Sequence, residues 1–134
     1  MEKAGDLAGK VVLDCTNPLK EDLSGLALGH STSGGEQVAA WASGGRVVKI
    51  FNTTGFENMG NPSYNGTAIT MFFAGDDAGA KAVASQLAGE IGFDPVDAGP
   101  LANARFLEPL GLLWIHLAIR QGHGTGIAYR LIHR

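Results

Sequence analysis

The run Val47-Val48-Lys49-Ile50-Phe51 passes without a break into Asn52-Thr53, and this junction most narrows what the chain can become. A continuous β-branched and apolar run, lacking polar alternation, reads as a strand covered on both faces, the usual state of strands in α/β sheets. Small polar residues at its carboxyl end then stand where open α/β sheets bind ligands. A second run ends the same way. Residues 10–15, rich in Val, lead into Asn17-Pro18-Leu19, and Pro18 stops that strand.

Between the two runs lies the signature of a helix start. Ser33 is followed three residues later by Glu36, the spacing of a capping box, which predicts a helix over residues 34–43 with Val38, Ala39 and Trp41 on its apolar face. Gly44-Gly45 ends it before a strand over residues 46–51. This strand, helix, strand unit suits a parallel pair. Residues 52–66, rich in Asn, Gly and Pro, read as a surface loop. A third strand over 67–74, running opposite to the other three, precedes a helix over 77–91 that is capped from Asp76-Asp77 and packed through Ala80, Val83, Ala84 and Leu87. A short strand over 93–96 contains Pro95, which points to a sheet edge. A helical region over 101–121 is apolar almost all round, so it needs cover on several sides, and a last helix is expected over 126–133.

Composition excludes several function classes. With 45% hydrophobic and 17% charged residues, the 134-residue chain reads as one packed α/β domain spanning residues 1–134. A net charge of −3 lacks the basic footprint that nucleic acid requires. No stretch of 18 apolar residues signals a membrane span. The single cysteine, Cys15, allows no intrachain disulfide, which fits the cytoplasm. His30, His116, His123 and His133 lack metal-ligand spacing, so no metal site is expected.

The motifs KVVLDCTNPL, VVKIFNT, TMFFAGDD, GFDPVDAGPL and ARFLEP follow one another along the chain. In that order they resemble the latter part of the NADPH-dependent coenzyme F420 reductases, also called F420-dependent NADP oxidoreductases. The resemblance implies a partial Rossmann-like sheet of about four strands with flanking helices and an apolar C-terminal helix. It also implies hydride transfer between NADP(H) and a deazaflavin, coenzyme F420, or a flavin; the cytosolic domains of membrane metalloreductases share a similar strand and pass hydride to flavin. Carried residue by residue, it implies cofactor contacts at Asn17, Pro18, Leu19, Asn52, Thr53 and Phe56, and no catalytic side chain, because aligned rings exchange hydride without an acid or base. These residues correspond to the nicotinamide side of the cleft. No G-x-G-x-x-G follows a first strand, so no pyrophosphate cradle is expected from this C-terminal portion of the domain. The competing expectations are a non-catalytic structural or assembly module that pairs through an exposed sheet edge, or a truncated fragment of such a reductase.

Other polar residues read as structural. Asp76-Asp77 is a helix cap, Arg105 and Glu108 are spaced to pair on one helix, His116 fits a core histidine, and Cys15 fits a small buried side chain inside its strand. The start of the first helix, at His30-Ser31-Thr32-Ser33, could bind an anion, though a simple cap suffices. Homodimerisation is expected through the apolar C-terminal helix around Trp114.

Overall fold

The computed structural model describes residues 4–134. Four strands form one sheet: β1 (Val11–Asp14), β2 (Arg46–Lys49), β5 (Thr70–Gly75) and β6 (Asp94–Asp97), in that spatial order. Two short strands, β3 (Ser63–Tyr64) and β4 (Thr67–Ala68), make a separate hairpin. The helices are α1 (Gly34–Trp41), α2 (Ala78–Ile91) and α3 (Ala104–Ile115), with a π-helical turn over His116–Arg120. The α/β architecture expected from the sequence is therefore present.

The sheet consists of two parallel pairs set against each other. β1 and β2 are parallel, β2 and β5 antiparallel, and β5 and β6 parallel. The sequence reading reversed only the third main strand. The fourth is reversed as well, because α2 returns the chain parallel to β5. Alternation along β2 separates the two faces. Val48 joins Met71, Phe73 and the stripe Ala80, Ala84, Ala88 of α2, whereas Val47 joins Ala42 and Leu101 on the α1 side. The sheet is thus covered by helices on both faces, which explains why β2 shows no polar alternation.

Local chemistry sets the helix boundaries. Asp77 accepts a hydrogen bond from the Ala80 amide at 2.7 Å, and the helix ends at Gly92 with φ +108°, a left-handed cap that glycine adopts without strain. Asp76 is used differently, accepting from the Leu101 amide at 2.9 Å. The buried stripe of α2 runs 80, 84, 88, so Val83 and Leu87 lie on its outer side. Trp41, expected on the inner face of α1, is 60% exposed for the same reason: the helix rests on the sheet through Val38 and Ala39.

Three further expectations are corrected. The third strand is interrupted: Thr67–Ala68 pairs with Ser63–Tyr64 around Asn65-Gly66, both with positive φ, the two-residue hairpin for which Asn-Gly is the strongest short signal. No helix forms over residues 126–133. Gly122, Gly124 and Gly126 make nucleation costly in so short a segment, and the chain runs extended instead, with the Thr70 amide donating to Tyr129 O at 2.9 Å and the Leu131 amide to Thr70 Oγ1 at 2.9 Å. Trp114 belongs to the interior. Its indole N–H donates to Ile127 O at 2.7 Å, and the outward residues of this helical region are Phe106, Leu113 and Ile119. Trp114 is therefore not the surface residue of a dimer contact.

The alanine stripe of α2 has no spare volume, since Ala84 is fully buried against the sheet. Ala84→Leu should lower stability by about 1–3 kcal/mol through overpacking, while Val83→Ala should stay within about 0.5 kcal/mol. Urea midpoints of the two variants check this.

Candidate functional site

The carboxyl ends of β1 and β2 lie side by side, and each is followed by an asparagine. The side-chain amide of Asn17 donates to Asn52 O at 2.9 Å, and that of Asn52 donates back to Asn17 Oδ1 at 2.9 Å. Asn52 Nδ2 also donates to Leu107 O on α3 at 2.9 Å. Two donations from one nitrogen fix the orientation of the Asn52 amide, and its Oδ1 is left buried with no donor. Such an unmet acceptor costs about 1–3 kcal/mol, which marks the spot as something other than ordinary core.

Backbone geometry produces this arrangement. β2 ends at Lys49, and Phe51 takes φ +62°, a left-handed conformation that a bulky residue rarely adopts. Phe51 is held there by burial and by a tilted ring contact with Phe93 at a centroid distance of 6.1 Å. The turn directs Asn52 toward α3. Gly111 allows the approach: a Cβ there would lie 2.6 Å from Asn52 O and 2.8 Å from Asn17 Oδ1.

Pro18 packs against the first residue of α1, its Cδ 3.3 Å from where a Gly34 Cβ would be, and Leu19 bridges to Leu26 in the following loop. Thr53 is turned inward, its hydroxyl 3.9 Å from Met71 Sδ. Phe56 is 81% exposed at the start of a 3₁₀ turn. The structure thus unites Asn17 with Asn52, seats Pro18 and Leu19 beside them, buries the Thr53 side chain, and leaves Phe56 on the surface. Between α3 and residues 26–30 runs an open groove of about 810 Å³, lined by Leu26, Leu28, His30, Arg105, Phe106 and Leu112. It continues past Pro109 into a cavity of about 400 Å³ near Leu23, Leu113, His116 and Arg120. His116 lies on this surface and not in the core.

Beneath the lip is a charged cluster that sequence reasoning missed. Lys49 has no exposed surface, and its Nζ lies 2.6 Å from Asp14 Oδ2, 2.8 Å from Glu108 Oε1 and 2.7 Å from Thr16 O. Glu108 also accepts the amides of Gly34 and Gly35, each at 2.9 Å. The first helix's open amides are therefore filled by the protein's own carboxylate, favoured by the helix dipole. Gly35 makes room, since a Cβ there would stand 3.1 Å from the Ala104 Cβ and 3.2 Å from Lys49 Cε. A lysine inside an otherwise apolar buried strand was the available signal, because such a charge requires partners.

Glu108 is accordingly not paired with Arg105. Arg105 forks onto Glu36 at 2.9 and 2.6 Å, and Glu36 completes the capping box, with Ser33 Oγ accepting from the Glu36 amide at 3.1 Å and donating to Glu36 Oε2 at 2.7 Å. Cys15 lies beyond β1 and is exposed, not inside the strand. Partial desolvation of its sulfur, reinforced by the neighbouring Asp14 carboxylate, raises its thiol pKa, which argues against a nucleophile.

Lys49→Met should cost about 3–5 kcal/mol, because two buried carboxylates lose their shared cation; the urea midpoint measures it. The Glu36 carboxyl is held below its ordinary value chiefly by the Arg105 hydrogen bonds, with Ser33 adding to this and burial opposing it. A lowered folded-state pKa stabilises the protein above the usual glutamate range, and that stabilisation is lost as pH falls through the folded value. Glu36→Gln should therefore show a shallower loss of stability on acidification than the parent, measured as urea midpoint against pH.

No protein-family model matches the chain. It is 35% identical over 112 residues to metalloreductase STEAP3 of Rattus norvegicus, a match that takes in 82% of this chain and 22% of that protein. A solved structure from Arthrobacter sp. FB24, provisionally assigned as an F420-dependent NADP-reductase, superposes with a TM-score of 0.86 at 32% identity, covering 97% of this chain and 61% of that one. A hypothetical protein of Sinorhizobium meliloti superposes with a TM-score of 0.68 at 28% identity, over 76% of this chain and 51% of its own. The chain thus spans less than two thirds of each of these relatives. No helix among the described residues is long and apolar enough to cross a membrane. The resemblance read from the ordered motifs is upheld, and the chain shares the Rossmann-like α/β fold of the Arthrobacter reductase-type protein over nearly its whole length.

Proposed function

We propose that this chain forms the nicotinamide side of an NADP(H)-dependent oxidoreductase cleft. The observation that carries the reading is the Asn17–Asn52 pair at adjoining parallel strand ends, the position at which open α/β sheets bind nucleotides. The likeness to a metalloreductase and to an NADP-reductase-type structure supports it. The residues fit an uncharged, hydrogen-bonding ring system. Asn17, half-buried where β1 ends, can offer its amide to a carboxamide, and the half-buried Pro18 and Leu19 offer apolar surface to a ring. They do not fit a pyrophosphate at α1, whose first amides are occupied by Glu108.

Bound NADPH supplies the hydride. The chain's own residues would orient the ring through the Asn pair, and Leu26, Leu28, Phe106 and Leu112 would give the open groove along α3 an apolar wall. The groove along α3 would hold the acceptor in this reading, a deazaflavin or flavin ring, against Leu26, Leu28, Phe106 and Leu112. No titrating side chain is needed in this reading, because aligned rings exchange hydride directly.

Calorimetry with NADPH, and NADH as control, tests the reading directly. Binding of both nucleotides without preference is expected, because the phosphate that distinguishes them lies at the far end of the dinucleotide from the lip, and Asn17→Ala should weaken it about tenfold, equal to roughly 1.4 kcal/mol. Equal affinity of parent and variant would remove the lip from the cofactor site. Oxidation of NADPH by a deazaflavin or a flavin, followed spectroscopically, then distinguishes the acceptors.

A further inference from the structure

Thr16 stands two residues beyond Asp14, the last residue of β1, and alternate residues of an extended chain share a face. Asp14 is buried and Thr16 exposed. The Thr16 side chain therefore joins the charged interior to the surface of the lip.

Both polar hydrogens of Thr16 are committed inward. Its amide and its hydroxyl donate to Asp14 Oδ1, at 3.0 and 2.7 Å, and its carbonyl accepts from Lys49 Nζ at 2.7 Å. The Asp14 carboxylate, paired with Lys49 at 2.6 Å, has only lone pairs to offer, so the hydroxyl is the donor in this contact. A free surface hydroxyl rotates and serves as donor or acceptor. This one is left as an acceptor, polarised by the anion to which it donates. The loop does not need it for support. The backbone ties of Thr16 to Asp14 and Lys49 would survive replacement of the hydroxyl by a methyl group.

The next residue supplies the complement. Asn17 Nδ2 carries two hydrogens, and among the described residues its one acceptor is Asn52 O at 2.9 Å. The second hydrogen is left to donate. An acceptor at Thr16 followed directly by a donor at Asn17 matches a ligand group that presents an N–H beside a C=O, as a primary carboxamide does. A ketone offers half of that.

We infer that Thr16 is a specificity-determining residue of the lip, its hydroxyl oxygen accepting the amide N–H of a nicotinamide carboxamide whose C=O accepts from Asn17. The inference rests on the proposed nucleotide cleft and deepens it, by giving a reason for the carboxamide to be chosen over other ring substituents. A site built to hydrogen-bond a ligand N–H rejects the analogue that lacks it.

The test is an NMR titration of the isotopically labelled chain with oxidised NADP and with its acetylpyridine analogue, in which a methyl group replaces the carboxamide NH2. The parent should bind NADP about tenfold more tightly than the analogue. Thr16→Val should abolish the difference by weakening NADP while leaving the analogue unchanged, and Thr16→Ser should restore it. Asn17→Ala should weaken both ligands alike, since both keep the carbonyl. Equal affinity of the parent for the two ligands would overturn the inference, and this comparison stands even where Thr16→Val does not fold. So would a Thr16→Val variant that keeps the preference, or one that weakens both ligands as a merely structural residue would. A preference that depends on Thr16 for riboflavin over riboflavin methylated at its imide nitrogen, with none between the nucleotides, would assign the pair to the acceptor ring and likewise overturn it. The two failures are distinguishable: no shift at Asn17 with either nucleotide refutes the nucleotide reading and this inference together, whereas equal binding of both at the lip keeps that reading and refutes the role of Thr16 alone.

Discussion

The buried ammonium of Lys49 is the constraint on which the rest of the architecture depends. A cation with no exposed surface has to be met by acceptors on every side, and here these come from three separate places: Asp14 at the end of β1, Thr16 O just beyond it, and Glu108 on α3. Glu108 in turn holds the first amides of α1. The carboxyl ends of two strands, the start of one helix and the middle of another are thereby locked in a single relative position. Replacing such a cluster by apolar side chains often costs nothing in stability, so its value lies in registration as much as in energy. Shape complementarity alone would let α3 slide along the sheet. Fixed charges do not.

Registration is what the lip above the cluster requires. Asn52 reaches Leu107 O only because Glu108, the next residue, is anchored below, and because Gly111 lets the helix approach within contact of Asn17. The amides are consequently held by each other and by α3. The same anchoring closes α1 to outside anions. In many nucleotide folds a helix N-terminus is the phosphate site; here that role is taken by an internal carboxylate.

The C-terminal segment completes the support from the other side. Ile127 O receives the Trp114 indole, Tyr129 donates its hydroxyl to Leu110 O at 3.1 Å, and Arg130 pairs with Asp94 at 3.1 Å. A segment without helix or paired strand thus ties α3 to β5 and β6. Its glycines prevent a helix, and its later side chains and carbonyls are used instead as individual ties, which is why its contribution is invisible to any reading based on periodicity.

The α/β class, the parallel β1–β2 pair, the capping box at Ser33 and Glu36, the Asp77 cap and the meeting of Asn17 with Asn52 all follow from local pattern: unbroken apolar runs, cap spacing and polar residues at strand ends. These depend on neighbours a few residues apart, or on a general rule of sheet topology, and so the sequence by itself determined them. The pairing of Glu108 with Lys49 in place of Arg105, the inward turn of Thr53, the burial of Trp114 and the direction of β6 depend on which distant elements come to lie together. An arginine three residues from a glutamate can pair with it on an isolated helix at little gain. Once α3 lies across α1, a buried lysine and two open amides compete for the same carboxylate, and the desolvated cation wins because leaving it unpaired costs far more. That choice belongs to the tertiary structure.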